Sequence, residues 1–134
     1  MEQLAYGFGV RTSLTPEAAE AAVRAALAEE GFGVLTEIDV AATLRTKLGV
    51  ERPPYKILGA CNPPLAHRAL GLDEELGLLL PCNVVVYDQG EATMVAAMDP
   101  SLMSQLSPGP GMGEVAADAA ARLRRALSRR EAVD

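Results

Sequence analysis

The sequence predicts an α+β fold in which a mostly antiparallel sheet carries helices on one face. Three observations predict it. Apolar and polar residues alternate in several short runs, as half-buried strands require. Two longer stretches repeat their apolar residues at helical spacing and carry capping signals at their ends. The later strands meet around a tight turn instead of alternating strictly with helices, which favours α+β over a parallel α/β sheet. The 134 residues match the size of one domain, 1–134, and are enough to bury a core without disulfide or metal staples.

The elements follow in order. Tyr6, Phe8 and Val10 alternate with Gly7, Gly9 and Arg11, giving a first strand. Thr15, Pro16 and Glu17 then supply an N-cap, a proline at the first helical position and a carboxylate in the first turn. Ala19, Ala22, Val23, Ala26 and Leu27 form the apolar stripe of that helix, and Gly31 stops it. A second strand places Phe32, Val34, Thr36 and Ile38 on one face. Asp39 caps a short helix carrying Val40, Leu44 and Leu48, closed by Gly49. Arg52-Pro53-Pro54 is an extended connector. It leads into a third strand, Tyr55 to Cys61, which runs straight into the helix-opening signal Asn62-Pro63-Pro64 and a short helix ending at Gly71.

Leu78 to Tyr87 reads as a long strand in which Pro81 marks an edge, a bulge or a late start. Asp88-Gln89-Gly90 forms a hairpin turn, and Ala92 to Met98 returns as the partner strand. Asp99-Pro100 opens a helical turn through Leu106. Ser107 to Gly113 is a Gly/Pro loop, and the last helix runs from Glu114 to about Ala132. Its basic cluster, Arg122, Arg124, Arg125, Arg129 and Arg130, is expected to form a solvated face, with an anion or partner surface as the functional alternative.

Composition narrows the function classes. The net charge of −6 opposes a phosphate backbone as partner, because such binding depends on Lys and Arg releasing counterions. No apolar run approaches the roughly 20 residues of a membrane helix, and the first residues lack the pattern of a signal peptide. The expectation is a cytoplasmic protein with reduced thiols and neither nucleic acid nor membrane as partner. Gly7-Phe8-Gly9 lacks the third glycine of a dinucleotide fingerprint, and the sequence specifies no cofactor.

The chemistry-bearing residues gather in two short runs, each pairing cysteine with asparagine. Cys61 ends a strand just before Asn62 and Pro63, where unpaired N–H groups and the positive end of a helix dipole would favour a thiolate. Cys82, preceded by Pro81 and followed by Asn83, shares a strand face with Val84 and Val86. If the two strands are antiparallel, the end of one meets the start of the other, so the sulfurs share a site. Three uses follow: a redox dithiol, half of a metal site, or a nucleophile with a resolving partner. Cys61 and Cys82 are the candidate catalytic pair, and Asn62, His67 and Asn83 are candidate ligand-binding residues. His67, the only histidine, could act as a base, as a third soft-metal ligand beside the two cysteines, or lie idle in solvent. The remaining reading is a non-enzymatic interaction module with core cysteines. Asp39, Asp73 and Asp99 read as helix caps, and Met94 and Met98 as core filling.

The run from Glu30 to Val40, then Lys56 to Pro63, Ala66-His67, and Gly77 to Val84 resembles domain-of-unknown-function family 302, with the likeness extending from about Tyr6 to Pro100. The resemblance implies a β-α-β(4)-α domain likened to the TATA-binding-protein fold, with the short helices as insertions, and a homodimer. It implies no established activity, cofactor or substrate. Cys61, Asn62, Pro63, His67, Pro81 and Cys82 stand at the family's signature positions. Read from the residues themselves, the leading expectation is a small pocket lined by Cys61, Asn62 and Cys82 that binds or redox-processes a small-molecule ligand.

Overall fold

The computed structural model describes residues 1–107 and 109–131. Six strands form one sheet: β1 (Glu2–Gln3), β2 (Gly7–Thr12), β3 (Gly33–Asp39), β4 (Tyr55–Cys61), β5 (Cys82–Asp88) and β6 (Thr93–Met98). Their spatial order is β1-β2-β6-β5-β4-β3, and every neighbouring pair is antiparallel. The helices are α1 (Pro16–Glu29), α2 (Val40–Leu48), α3 (Pro63–Leu72), α4 (Ser101–Leu106) and α5 (Met112–Glu131), with a 3₁₀ turn at Glu74–Leu78. The α+β expectation therefore holds. The expected helix end at Ala132 and the loop residue Pro108 lie outside the described residues.

Local chemistry explains most boundaries. The Thr15 side chain accepts from the Ala18 N–H, Asp39 from Ala42 and Asn62 from Leu65, so each predicted cap is made. Asp73 and Asp99 likewise accept from Glu75 and Ser101. The β5–β6 hairpin closes with the Asp88 carboxylate accepting from the N–H of Gly90, whose φ of 95° suits glycine.

Alternation divides the sheet into two faces. Phe8, Val10, Leu58, Ala60, Cys82, Val84, Val86, Val95 and Ala97 face α1 and α5, where they meet Val23, Leu27, Leu123 and Leu127 in the main core. Each large side chain buried there stabilises the fold by roughly 1.5–3 kcal/mol. A second apolar cluster joins Leu65 and Ala69 of α3, Leu76, Met103 of α4, and Met112, Val115, Ala116 and Ala119 of α5. Leu80 packs against both clusters.

Three features depart from the sequence expectation. A bulge between Val34 and Thr36 shifts the β3 register, so Thr36 and Ile38 leave the face of Phe32 and Val34, and Glu37 takes their place on the helix side. There Glu37 and Glu20 share Arg24 and Lys56, tying α1 to the sheet. Burial disfavours the Glu20 charge, but hydrogen bonds from Lys56 and Arg24 outweigh it and hold its carboxyl below the usual range. The strand expected from Leu78 begins instead at Cys82, since the 3₁₀ turn occupies Glu74–Leu78 and Pro81, after a cis peptide bond, has no N–H to offer a ladder.

The third departure is the basic cluster of α5. Arg125 and Arg129 both pair with Glu30, whose side chain is only 8% exposed. Arg129 also pairs with Glu29. Arg122 bonds Asp118 and donates to the Glu30 carbonyl. Arg124 lies over the Phe8 ring, 4.1 Å from its centroid. These arginines clasp α5 to the end of α1 and to β2 while staying partly solvated, so the face is both paired and exposed. Arg130's side chain lies outside the described residues.

Candidate functional site

The seam between the two apolar clusters is not filled. A cavity of about 330 Å³ lies there, at the end of the sheet where β4 stops and β5 starts. Phe32, Ala60 and Cys82 come from the sheet's helix face, Leu65 and Ala69 from α3, and Met103, Val115 and Ala119 from α4 and α5. Cys61 and Pro81 border it from the strand ends, and Leu35 and Leu70, both largely exposed, stand at its rim.

The ladder places Cys82 opposite Ala60, one residue out of step with Cys61. Successive side chains of a strand point to opposite faces. The two cysteines therefore flank the strand ends from different sides while lining one cavity. Both are free thiols; Cys61 is part-buried and Cys82 is buried. Burial, reinforced by the neighbouring Cys61, pushes the Cys82 thiol up to about 11, so at neutral pH it is an uncharged wall of the cavity and a weak nucleophile.

Asn62 is buried and lines the cavity, but both ends of its amide are committed. Its Oδ1 accepts from the Leu65 N–H at 3.3 Å and its Nδ2 donates to the Glu30 carbonyl at 3.4 Å. The Ala66 N–H bonds the Asn62 carbonyl, and Pro63 and Pro64 have no N–H. The α3 N-terminus thus offers Cys61 none of the unpaired donors that the sequence argument relied on. Asn62 is the joint between α3 and the end of α1.

His67 is exposed and does not line the cavity. Asn83 is exposed on the sheet's other face, opposite Gly59. The structure brings Cys61, Asn62 and Cys82 together and leaves His67 and Asn83 elsewhere. Among the described residues no group of three or more His, Cys, Asp or Glu side chains is placed to hold a metal ion, so the three-residue soft-metal set is not assembled. No helix among the described residues is long and apolar enough to cross a membrane.

What the arrangement can do follows from its chemistry. The walls are apolar, the one amide is already satisfied, and the buried thiol is uncharged. Such walls offer hydrocarbon contacts and no partner for an ion, which would lose its hydration on entering. The sequence reading missed Leu65, Ala69, Met103, Val115 and Ala119. Val115, Ala119 and Leu123 stand at helical spacing in the sequence, a signal for a buried face that does not say the first turns of α5 pack against α3.

Fold and site together define a small α+β protein with an apolar, cysteine-bearing cavity at one end of its sheet. The chain belongs to the family described as domain of unknown function DUF302, which it matches over residues 8–129. Its fold is similar to that of the uncharacterized conserved protein DUF302 from Bacillus stearothermophilus, known from a crystal structure. The TM-score is 0.87 and the identity 31%, covering 95% of this chain and 99% of that one. Among curated proteins none matches.

Proposed function

We propose that this protein binds a small, largely apolar ligand in the cavity between α3, α5 and the ends of β4 and β5. The observation that carries this reading is a space of about 330 Å³ between two otherwise well-packed clusters, within the size range of small-molecule sites. Cys61 and Cys82 supply its soft, polarizable contacts, and Asn62 keeps α3 in place above it. The dithiol redox alternative is less well supported, because the register offset turns the two side chains apart. The test is a titration with Nile red, an uncharged apolar fluorophore. Saturable binding weakened at least about tenfold by Ala69→Leu, which fills a few methylenes' worth of space, supports the reading. Binding that is absent, or indifferent to Ala69→Leu, defeats it.

A second observation favours the expected homodimer. Helix α2 has no buried residue, and a nine-residue helix is marginal without a packing partner. Leu48 and Val50 are exposed. Beside them, Ile38 and the part-buried Tyr55, Ile57, Val85 and Tyr87 line the sheet face that α1 and α5 do not cover. A twofold pair laying α2 against this face would bury both surfaces. Light scattering should give the mass of two chains, and Ile57→Glu should give that of one; a wild-type monomer at micromolar concentration would rule the pairing out.

A further inference from the structure

We propose that Cys61 captures apolar α,β-unsaturated carbonyl compounds, enals or enones with a hydrocarbon tail, by conjugate addition at the mouth of the cavity. The inference rests on the ligand-binding reading above and gives that ligand a chemical class.

Three observations carry it. Cys61 is a free thiol, part-buried and bordering the cavity, so it meets both solvent and ligand. Cys82 is 5% exposed and lines the same cavity; its backbone is held in the β4–β5 ladder, and its thiol presents a soft surface to the space. Apart from Asn62, whose amide oxygen and nitrogen are both hydrogen-bonded, the remaining walls are apolar, from residues such as Phe32, Leu65, Met103 and Val115. A hydrocarbon tail is the part of a ligand such walls recognise. A carbonyl left at the mouth keeps its hydration there, and the carbon β to it then lies where a thiol at the strand end can reach it.

The addition balances without an outside oxidant. The Cys61 thiol loses its proton to water, and its sulfur forms a bond to the β-carbon. The π electrons of the C=C bond move to the α-carbon, which takes up a proton. No group leaves and nothing is oxidised. Release is the same path in reverse.

The deep thiol does not compete, since at 5% exposure it is screened from solvent, and the same burial raises its pKa and disfavours the attacking thiolate at neutral pH. Capture is therefore at one residue, with the second cysteine serving as wall.

The experiment uses the folded full chain with trans-2-octenal and with acrolein, which carries the same electrophile and no tail. Rates are followed by intact mass and divided by those of glutathione with each reagent. The expected result is a single adduct mapped to Cys61, with octenal favoured over acrolein at least about tenfold more than glutathione favours it, as burial of the added methylenes requires. Excess 1-octanol should slow the reaction. Cys61→Ser should abolish the adduct, and His67→Ala, exposed and outside the cavity lining, should keep it. If Cys61→Ser does not fold, peptide mapping of the wild-type adduct still assigns the residue. No tail preference, or an adduct on Cys82, or reaction only after unfolding, overturns the proposal. Should Nile red bind and respond to Ala69→Leu in that same case, only the electrophile inference falls and the binding site stands.

Discussion

Cys82 is paired across the β4–β5 ladder with Ala60 and not with Cys61. A disulfide needs Cα atoms within about 7 Å and Cβ vectors that converge; a one-residue offset on an antiparallel ladder satisfies the first condition and breaks the second. Mild oxidation with oxidised glutathione should therefore give a mixed disulfide on Cys61, seen by intact mass, and no species lacking two hydrogens. An intramolecular disulfide forming readily in the native protein would show that the strand ends rearrange.

The state of Cys82 has a consequence for alkaline stability. Its thiol is raised from 9.0 to about 11 by burial and by Cys61. A group whose folded pKa exceeds its unfolded value stabilises fully below the unfolded value and loses that contribution as pH rises through the folded one. Unfolding free energy should therefore fall between about pH 9 and pH 11, by roughly 2 kcal/mol or somewhat more for a shift of this size. Urea melts of wild type and Cys82→Ala across that range should converge as pH rises. A difference independent of pH would contradict the assignment.

Glu30 carries the junction between α1 and α5. Its buried carboxylate meets Arg125 and Arg129, and its carbonyl accepts from Asn62 and Arg122. The arginines are partly solvated, which reduces the cost of losing the pair below that of a fully buried one. Glu30→Gln should destabilise by about 1–3 kcal/mol and, unlike a surface change, reduce Nile red binding, because Asn62 and α3 hang from the same junction. Equilibrium denaturation with a parallel binding titration checks both.

Gly59 shows how tightly the strand ends are built. A Cβ there would fall 2.2 Å from the Thr36 Oγ1 and 2.8 Å from the Pro81 Cγ, contacts that real side chains do not make. Gly59→Ala should cost about 1–3 kcal/mol, as overpacking does. Adding Thr36→Ala should recover part of that loss in a thermal melt, because it removes the nearer of the two atoms.

Much of the fold was legible because its signals are local. Thr15, Asp39 and Asn62 cap the helices they were expected to cap, and Pro81 marks the late start that was one of its three readings. The bulge at Leu35 was not legible, since an extra strand residue leaves the alternation intact on both sides and only the pairing reveals it. Neither was the β1 pairing of two residues. Asn83 was legible in part: placing Cys82, Val84 and Val86 on one face puts Asn83 on the other. The direction of His67 and the engagement of Arg122, Arg125 and Arg129 depend on which helix lies alongside, a relation between residues about a hundred positions apart that no local pattern records.

Reception of hydrocarbon by the space beside Cys61 and Cys82 is the proposal on which the rest depends. Side-chain methyl NMR spectra recorded while 1-octanol is titrated in test it most directly. Saturable shifts confined to Leu65, Leu70, Met103 and Val115, with Ile57 and Val85 of the opposite sheet face unmoved, are the predicted result. Shifts that never saturate, or that centre on Ile57 and Val85, would contradict it.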